Sequence, residues 1–84
     1  MPPAMSDDAP HSLDTRGLLC PLPVLKIRKR LQPLAPGAVM EVLADDPVAI
    51  VDIPHFCDEA GHRLLSQETR GRVQVYRIEK GAGG

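Results

Sequence analysis

The sequence predicts one small α+β domain: a two-layer α/β sandwich of order βαβαββ, with two helices on one face of a four-stranded mixed sheet. Three observations lead to this prediction. Apolar residues recur at helical spacing in two segments, they alternate at strand spacing between those segments, and the last third of the chain alternates around a glycine turn. The 84 residues leave room for a single domain.

The ordered domain is expected to span residues 12–80. Residues 1–11 contain three prolines and two aspartates without apolar periodicity, so they are predicted to form a disordered tail, and the glycine-rich residues 81–84 a flexible one. A domain of this size buries only roughly 60% of the surface of its unfolded chain. A deep substrate pocket beside the core is therefore not expected.

In the first half, residues 12–15 form the first predicted strand, and Gly17 follows in a turn that favours positive φ. Residues 21–34 are predicted to form a helix that stops at the Pro36-Gly37 pair. Its apolar stripe has Leu25 beside it and consists of Val24, Ile27, Leu31 and Leu34.

The strand 39–44 is the clearest in the chain, because it alternates strictly. Asp46 is predicted to cap a short turn at 47–52, and Asp52 to cap the main second helix, with Pro54 still in its first turn. Gly61 is expected to end this helix.

The last two strands are predicted at 63–69 and 72–80, joined by a turn at Arg70-Gly71. Val73 and Val75 imply one alternation of faces, while Tyr76 and Ile78 imply the opposite one. We therefore expect a β-bulge near Val75.

Composition excludes several classes of protein. The net charge of −1, 43% hydrophobic and 25% charged residues are ordinary globular values, and no apolar run is long enough to cross a bilayer. The N-terminus lacks the charged-then-apolar order of a secretory signal, so a cytoplasmic protein without membrane association is expected. Aromatic residues make up 2%, which argues against direct stable binding of nucleic acid.

Charge is segregated along the chain. Residues 18–40 contain basic but no acidic side chains, whereas residues 41–59 are acidic without Lys or Arg. These segments form either two solvated faces or a bipolar surface for docking proteins. The cluster of Lys26 and 28–30 is predicted to meet acidic protein surfaces rather than tRNA phosphates.

Cys20 is the main candidate for chemistry. It is predicted to be the N-cap of the first helix, where the helix dipole favours thiolate, and Pro21 and Pro23 would hold it at a rigid, exposed tip. No neighbouring residue could act as a base, and a second cysteine of a Cys-x-x-Cys motif is missing. An exposed thiolate of this kind suits attack on a sulfur atom carried by another protein.

The remaining candidate residues receive structural interpretations. Cys57 falls on the apolar stripe of the second helix and is expected to be an inert core thiol. His55, Cys57 and His62 match no usual zinc spacing, so neither a metal site nor a cofactor is predicted. His62 is expected to satisfy backbone or solvent where that helix ends.

The spaced pattern Leu13-Asp14, Gly17 and Cys20-Pro21-x-Pro23 resembles the signature of the TusA/SirA-like sulfur carriers. The resemblance continues through Asp45-Asp46-Pro47, Asp52-Ile53-Pro54-x-Phe56-Cys57 and Gly61-His62, covers residues 12 to about 81, and points to TusA proper. It departs from that branch at two places, where Leu22 stands between the prolines and Val51 precedes the Asp-Ile-Pro segment.

This resemblance implies the same βαβαββ sandwich, in which Cys20 accepts a sulfane sulfur as a persulfide. It implies a cysteine desulfurase as donor and sulfur-relay or acceptor proteins as recipients, most often in the synthesis of 2-thiouridine in tRNA. It also implies partner contacts at Arg28 and Asp46. A carrier that hands sulfur onward is expected to be a monomer when free.

Two alternatives to this sulfurtransferase function remain open from the sequence. The chain could be a non-catalytic interaction or regulatory module of the same fold. It could also carry sulfur in sulfur oxidation, in molybdenum-cofactor sulfuration or in selenium metabolism.

Overall fold

The structure is a computed structural model that describes residues 11–82. It contains β1 (Ser12–Asp14), α1 (Leu22–Leu31), β2 (Val39–Ala44), α2 (Ala49–Ala60), β3 (Arg63–Arg70) and β4 (Val73–Glu79). The sheet order is β1-β2-β4-β3, with β1 parallel to β2 and the other neighbours antiparallel. The predicted α+β sandwich with a four-stranded mixed sheet is confirmed.

The core lies between the helices and the inner face of the sheet. Every second residue of β2 points inward, and each is opposite an inward residue of β4, as in the pairs Met40–Ile78 and Val42–Tyr76. Ile27 and Leu31 of α1 and Ile53 of α2 close this layer from the other side. Leu25 lies outside it and is 51% exposed.

Helix α1 is shorter than the predicted helix 21–34. It ends at Leu31, after which the Leu34 N–H donates to the Leu31 carbonyl in a turn that contains Pro33. The side chain of Lys80 completes this end, because its buried Nζ donates to the carbonyls of Leu31 and Gln32 at 2.7 and 3.3 Å.

The prediction for the start of the second helix is wrong. Helix α2 begins at Ala49 with Val48 at its N-cap, so Asp52 does not cap it, and Pro54 lies in its interior. Asp46 does cap the turn before the helix, as predicted, because its Oδ1 accepts the Val48 N–H at 3.1 Å. Pro54 cannot donate to the Ile50 carbonyl. The Gln67 side chain of β3 lies 3.5 Å from that oxygen and supplies a donor from the sheet. Gly61 ends the helix with φ +83°, as predicted.

The predicted bulge is also misplaced. The irregularity lies in β3 between Leu64 and Ser66, and β4 pairs without interruption with β2. Val75 is buried on the outer face opposite Leu43, so the alternation of β4 is regular and both of its faces are partly apolar. The turn of this hairpin is Gly71-Arg72 rather than Arg70-Gly71.

Both predicted tails are one residue too long. The His11 carbonyl accepts the Glu41 N–H at 2.8 Å, and the Gly81 N–H donates to His62 Nδ1 at 3.0 Å. Gly81 is packed so closely that a Cβ on it would overlap the Gly61 carbonyl oxygen. Residues 1–10 and 83–84 of the predicted tails lie outside the described residues.

Candidate functional site

Cys20 lies in the loop between β1 and α1, and its side chain is exposed, as predicted. The peptide bond between Cys20 and Pro21 is cis. Because β1 and β2 are parallel, the loops that follow them lie at the same end of the sheet, and residues from the second loop and from α2 contact Cys20.

The prediction that Cys20 is the N-cap of α1 is wrong. The helix begins at Leu22, Pro21 occupies the N-cap, and no side chain caps this end. The Leu22 N–H donates to the Leu19 carbonyl at 2.8 Å, and Pro23 has no N–H to offer. The backbone donors that the Cys20 side chain was expected to bind are therefore used or missing.

Asp46 fixes the position of Cys20 through the backbone. Its Oδ2 accepts the Cys20 N–H at 2.7 Å, and its Oδ1 accepts the Val48 N–H at 3.1 Å. Its carbonyl accepts Nε2 of the buried Gln74 at 3.0 Å. Asp46 is only 5% exposed, so the structure gives it an internal role, and its partner contact stays a prediction.

Gly17 provides a second tie between the two loops. It has φ +86°, in the left-handed region that glycine favours, and its N–H donates to Asp45 Oδ1 at 3.0 Å. The predicted need for glycine in this turn is confirmed. Asp45 and Asp46 together hold both ends of the 17–20 loop.

Asp52 is the side chain that contacts the thiol itself. Asp52 lies in the first turn of α2, and its Oδ2 accepts a hydrogen bond from Cys20 Sγ at 3.0 Å. This hydrogen bond raises the pKa of Cys20, and partial loss of solvent and the negative charges of Asp52 and Asp46 act in the same direction. The Asp52 carboxylate therefore opposes the expected effect of the helix dipole and favours the protonated thiol.

Sequence reasoning missed Asp52 as part of this site. It was interpreted as a helix cap, and 32 positions separate it from Cys20. The available signal was the Asp-Ile-Pro segment, which occurs in register with the Cys-Pro-x-Pro segment. The spacing of the two segments in the sequence does not give the distance between Cys20 and Asp52, however, so this contact could be found only in the folded structure.

The basic residues of α1 lie beside this site rather than in it. Lys26 and Arg28 are both exposed, and the Arg28 guanidinium lies 5.0 Å above the ring of Phe56 in α2. Their docking role stays a prediction. The contact with Phe56 leaves the Arg28 charge at the surface while it links the two helices.

Cys57 and His62 are structural, as predicted. Burial raises the pKa of the Cys57 thiol to about 11, which makes it unreactive near neutral pH. His62 accepts the Gly81 N–H, and its ring packs 5.6 Å from that of Phe56. His55 lies elsewhere on the surface, 3.5 Å from Glu59.

A groove of about 560 Å³ lies beside the hairpin; it is lined by Asp45, Pro47, Ile50, Thr69, Gly71, Arg72 and Gln74. Cys20 is not among these residues, and its side chain is exposed. Residues 11–82 contain no helix that is long and apolar enough to span a membrane.

The family model described as Sulfurtransferase TusA matches residues 11–80. The chain belongs to the TusA sulfurtransferase family. The crystal structure of a SirA-like protein from Desulfitobacterium hafniense is similar, with a TM-score of 0.73 at 27% identity over 83% of this chain and 96% of that one. For this TusA-family chain, membership indicates a sulfur-carrier role and sulfur-relay proteins as partners in general.

Proposed function

We propose that Cys20 accepts a sulfane sulfur from a cysteine desulfurase and passes it to an acceptor protein, in the pathway of tRNA 2-thiouridine modification. The observation that carries this proposal is the exposed Cys20 thiol on a loop fixed by Asp46. Such a thiol is accessible to another protein's cysteine.

The transfer is an exchange between two sulfur atoms. The Cys20 thiolate attacks the terminal sulfur of a persulfide on the donor cysteine. The donor's S–S bond breaks, its electron pair leaves with the donor cysteine as a thiolate, and Cys20 then carries the persulfide. The second transfer repeats this step with Cys20 as the leaving group.

The proposal is tested by incubating the protein with a desulfurase and cysteine and measuring its intact mass. The wild-type chain and Cys57→Ser should gain one sulfur atom, and Cys20→Ser should gain none. Cys57→Ser is the matched control, because Cys57 is the other thiol and is buried. Loading of Cys20→Ser, with loss of loading in Cys57→Ser, would contradict the assignment.

The raised pKa of Cys20 favours a second candidate, a non-catalytic interaction module that keeps the fold. In that case the thiol would have no role, and the wild-type chain would gain no sulfur although it binds sulfur-relay proteins. The same mass measurement separates the two functions.

A further inference from the structure

The thiol of Cys20 rests in the wrong protonation state for its proposed reaction. The attacking species in sulfur exchange is the thiolate, yet Cys20 Sγ donates a hydrogen bond to Asp52 Oδ2 at 3.0 Å. A thiolate at this position would have no proton to donate and would face a carboxylate. Release of the proton therefore requires a change at Asp52.

The change would have to come from outside the described chain. None of the ion pairs within residues 11–82 involves Asp52. Arg28, one of the basic residues on α1, lies over the Phe56 ring instead. The other charged group that acts on the thiol is Asp46, which is also negative.

Exposed hydrophobic side chains lie next to Cys20, Asp46 and Asp52 in the segments that carry these residues. We define the apolar rim as four exposed hydrophobic side chains: Leu19, Leu22, Val48 and Val51. Leu19 and Val51, at 67% and 69% exposure, directly precede Cys20 and Asp52 in the chain. A protein that covers this rim removes water from the pair of Cys20 and Asp52, which strengthens every charge interaction there.

We propose that the protein that loads Cys20 covers the apolar rim and places a positively charged side chain against Asp52, which frees the sulfur as a thiolate. This inference rests on the proposed function and adds the chemistry of the partner surface. Before docking, Asp52 keeps the thiol protonated and slow to react with small electrophiles. As the two proteins meet, the cation pairs with Asp52, and the thiol loses its proton to solvent water before the rim is fully covered. The exchange described above then proceeds.

The test compares the wild-type chain with Asp52→Asn and Asp58→Asn. Asp58→Asn is the matched control, because it removes an exposed carboxylate from the same helix, away from Cys20. Three rates are measured near pH 7: alkylation by iodoacetamide, sulfur loading from glutathione persulfide, and loading from a cysteine desulfurase with cysteine. Cooperative unfolding of each variant in urea confirms that it is folded.

Asp52→Asn should be alkylated, and loaded by glutathione persulfide, several-fold faster than the wild type. Its loading by the desulfurase should not rise in proportion, because the variant has lost the partner for the donor's cation. Asp58→Asn should match the wild type in all three rates. Unchanged alkylation of Asp52→Asn, or an equal rise with both sulfur donors, would overturn the proposal.

Failure of the proposed function has a different signature. If the wild type takes sulfur from neither donor, Cys20 is not a carrier thiol. The alkylation rates would still decide whether Asp52 controls its protonation.

Discussion

The side chain of Asp46 binds the backbone N–H of Cys20. The Asp46 carboxylate accepts two backbone N–H groups, those of Cys20 and Val48, and is almost completely buried. Removal of a buried acceptor leaves its donors without partners, which costs more than the net value of the bond itself. Asp46 therefore stabilises the loop whether or not it also contacts a partner.

We expect Asp46→Ala to lower the free energy of unfolding by about 1–3 kcal/mol, because two backbone donors lose a charged acceptor. Urea denaturation measures this change, and Asp58→Ala serves as the control on the surface. A loss for Asp46→Ala that does not exceed the loss for the control would show that the two loops hold together without this carboxylate.

The sequence was sufficient to single out Cys20, Gly17 and the exposure of the thiol, since these depend on local residue types. It was not sufficient for the protonation state. Helix dipole and carboxylate act in opposite directions on the thiol, and the carboxylate of Asp52 belongs to a helix that only the tertiary structure brings within 3.0 Å.

At the scale of elements, α1 depends on a residue far along the chain. The carbonyls at its C-terminal end have no hydrogen-bond donors within the helix. The ammonium of Lys80, which follows β4, donates to two of them, those of Leu31 and Gln32. A positive charge is also favourable at this end of the helix dipole. The end of α1 is therefore fixed by a tertiary contact as well as by Pro33.

Lys80→Met keeps most of the side-chain volume and removes the donors. We expect it to lower the free energy of unfolding by about 1–3 kcal/mol, since the carbonyls of Leu31 and Gln32 lose their charged partner. Lys29→Met, on the exposed face of the same helix, is the control for urea denaturation. Equal stability of the two variants would show that water replaces the ammonium without loss.

Element types were more predictable than their ends. Strand β2 follows strict alternation and was predicted with its observed bounds, Val39–Ala44. Helix α2 was predicted to start too late because proline normally ends a helix, whereas here burial of Ile53 and Phe56 and the Gln67 side chain outweigh the missing hydrogen bond. The position of the bulge was missed because β4 is apolar on both faces.

At the scale of the whole molecule, His62 joins the end of α2 to Gly81, which follows β4. Its neutral Nδ1 accepts the Gly81 N–H. Burial lowers the pKa of His62, and the charges of Lys80 and Arg28 lower it further. The unfolded chain therefore binds this proton at a higher pH than the folded chain does, and stability falls as the pH drops below about 6.5.

We expect the free energy of unfolding to fall between pH 7.5 and pH 5.5, and His62→Gln to reduce this fall. Urea denaturation at several pH values provides the measurement. His55→Gln, an exposed histidine of α2 beside Glu59, should keep the wild-type pH dependence. The same pH dependence in His62→Gln as in the wild type would assign the effect to other groups.

The topology as a whole was predictable, because the order of periodic segments in so short a chain admits few right-handed arrangements. The exact ends of the folded domain were less predictable. His11 and Gly81 have no apolar pattern, and only their backbone hydrogen bonds place them in the domain.

The position of Cys20 on one small rim has a consequence for how such a carrier would work. A single exposed thiol can react with the sulfur of only one protein at a time. The sulfur donor and the sulfur acceptor must then bind one after the other, and the carrier must dissociate from the donor before it binds the acceptor. The rate at which the carrier dissociates from the sulfur donor, rather than its affinity for the donor, would then limit the rate of sulfur transfer to the acceptor.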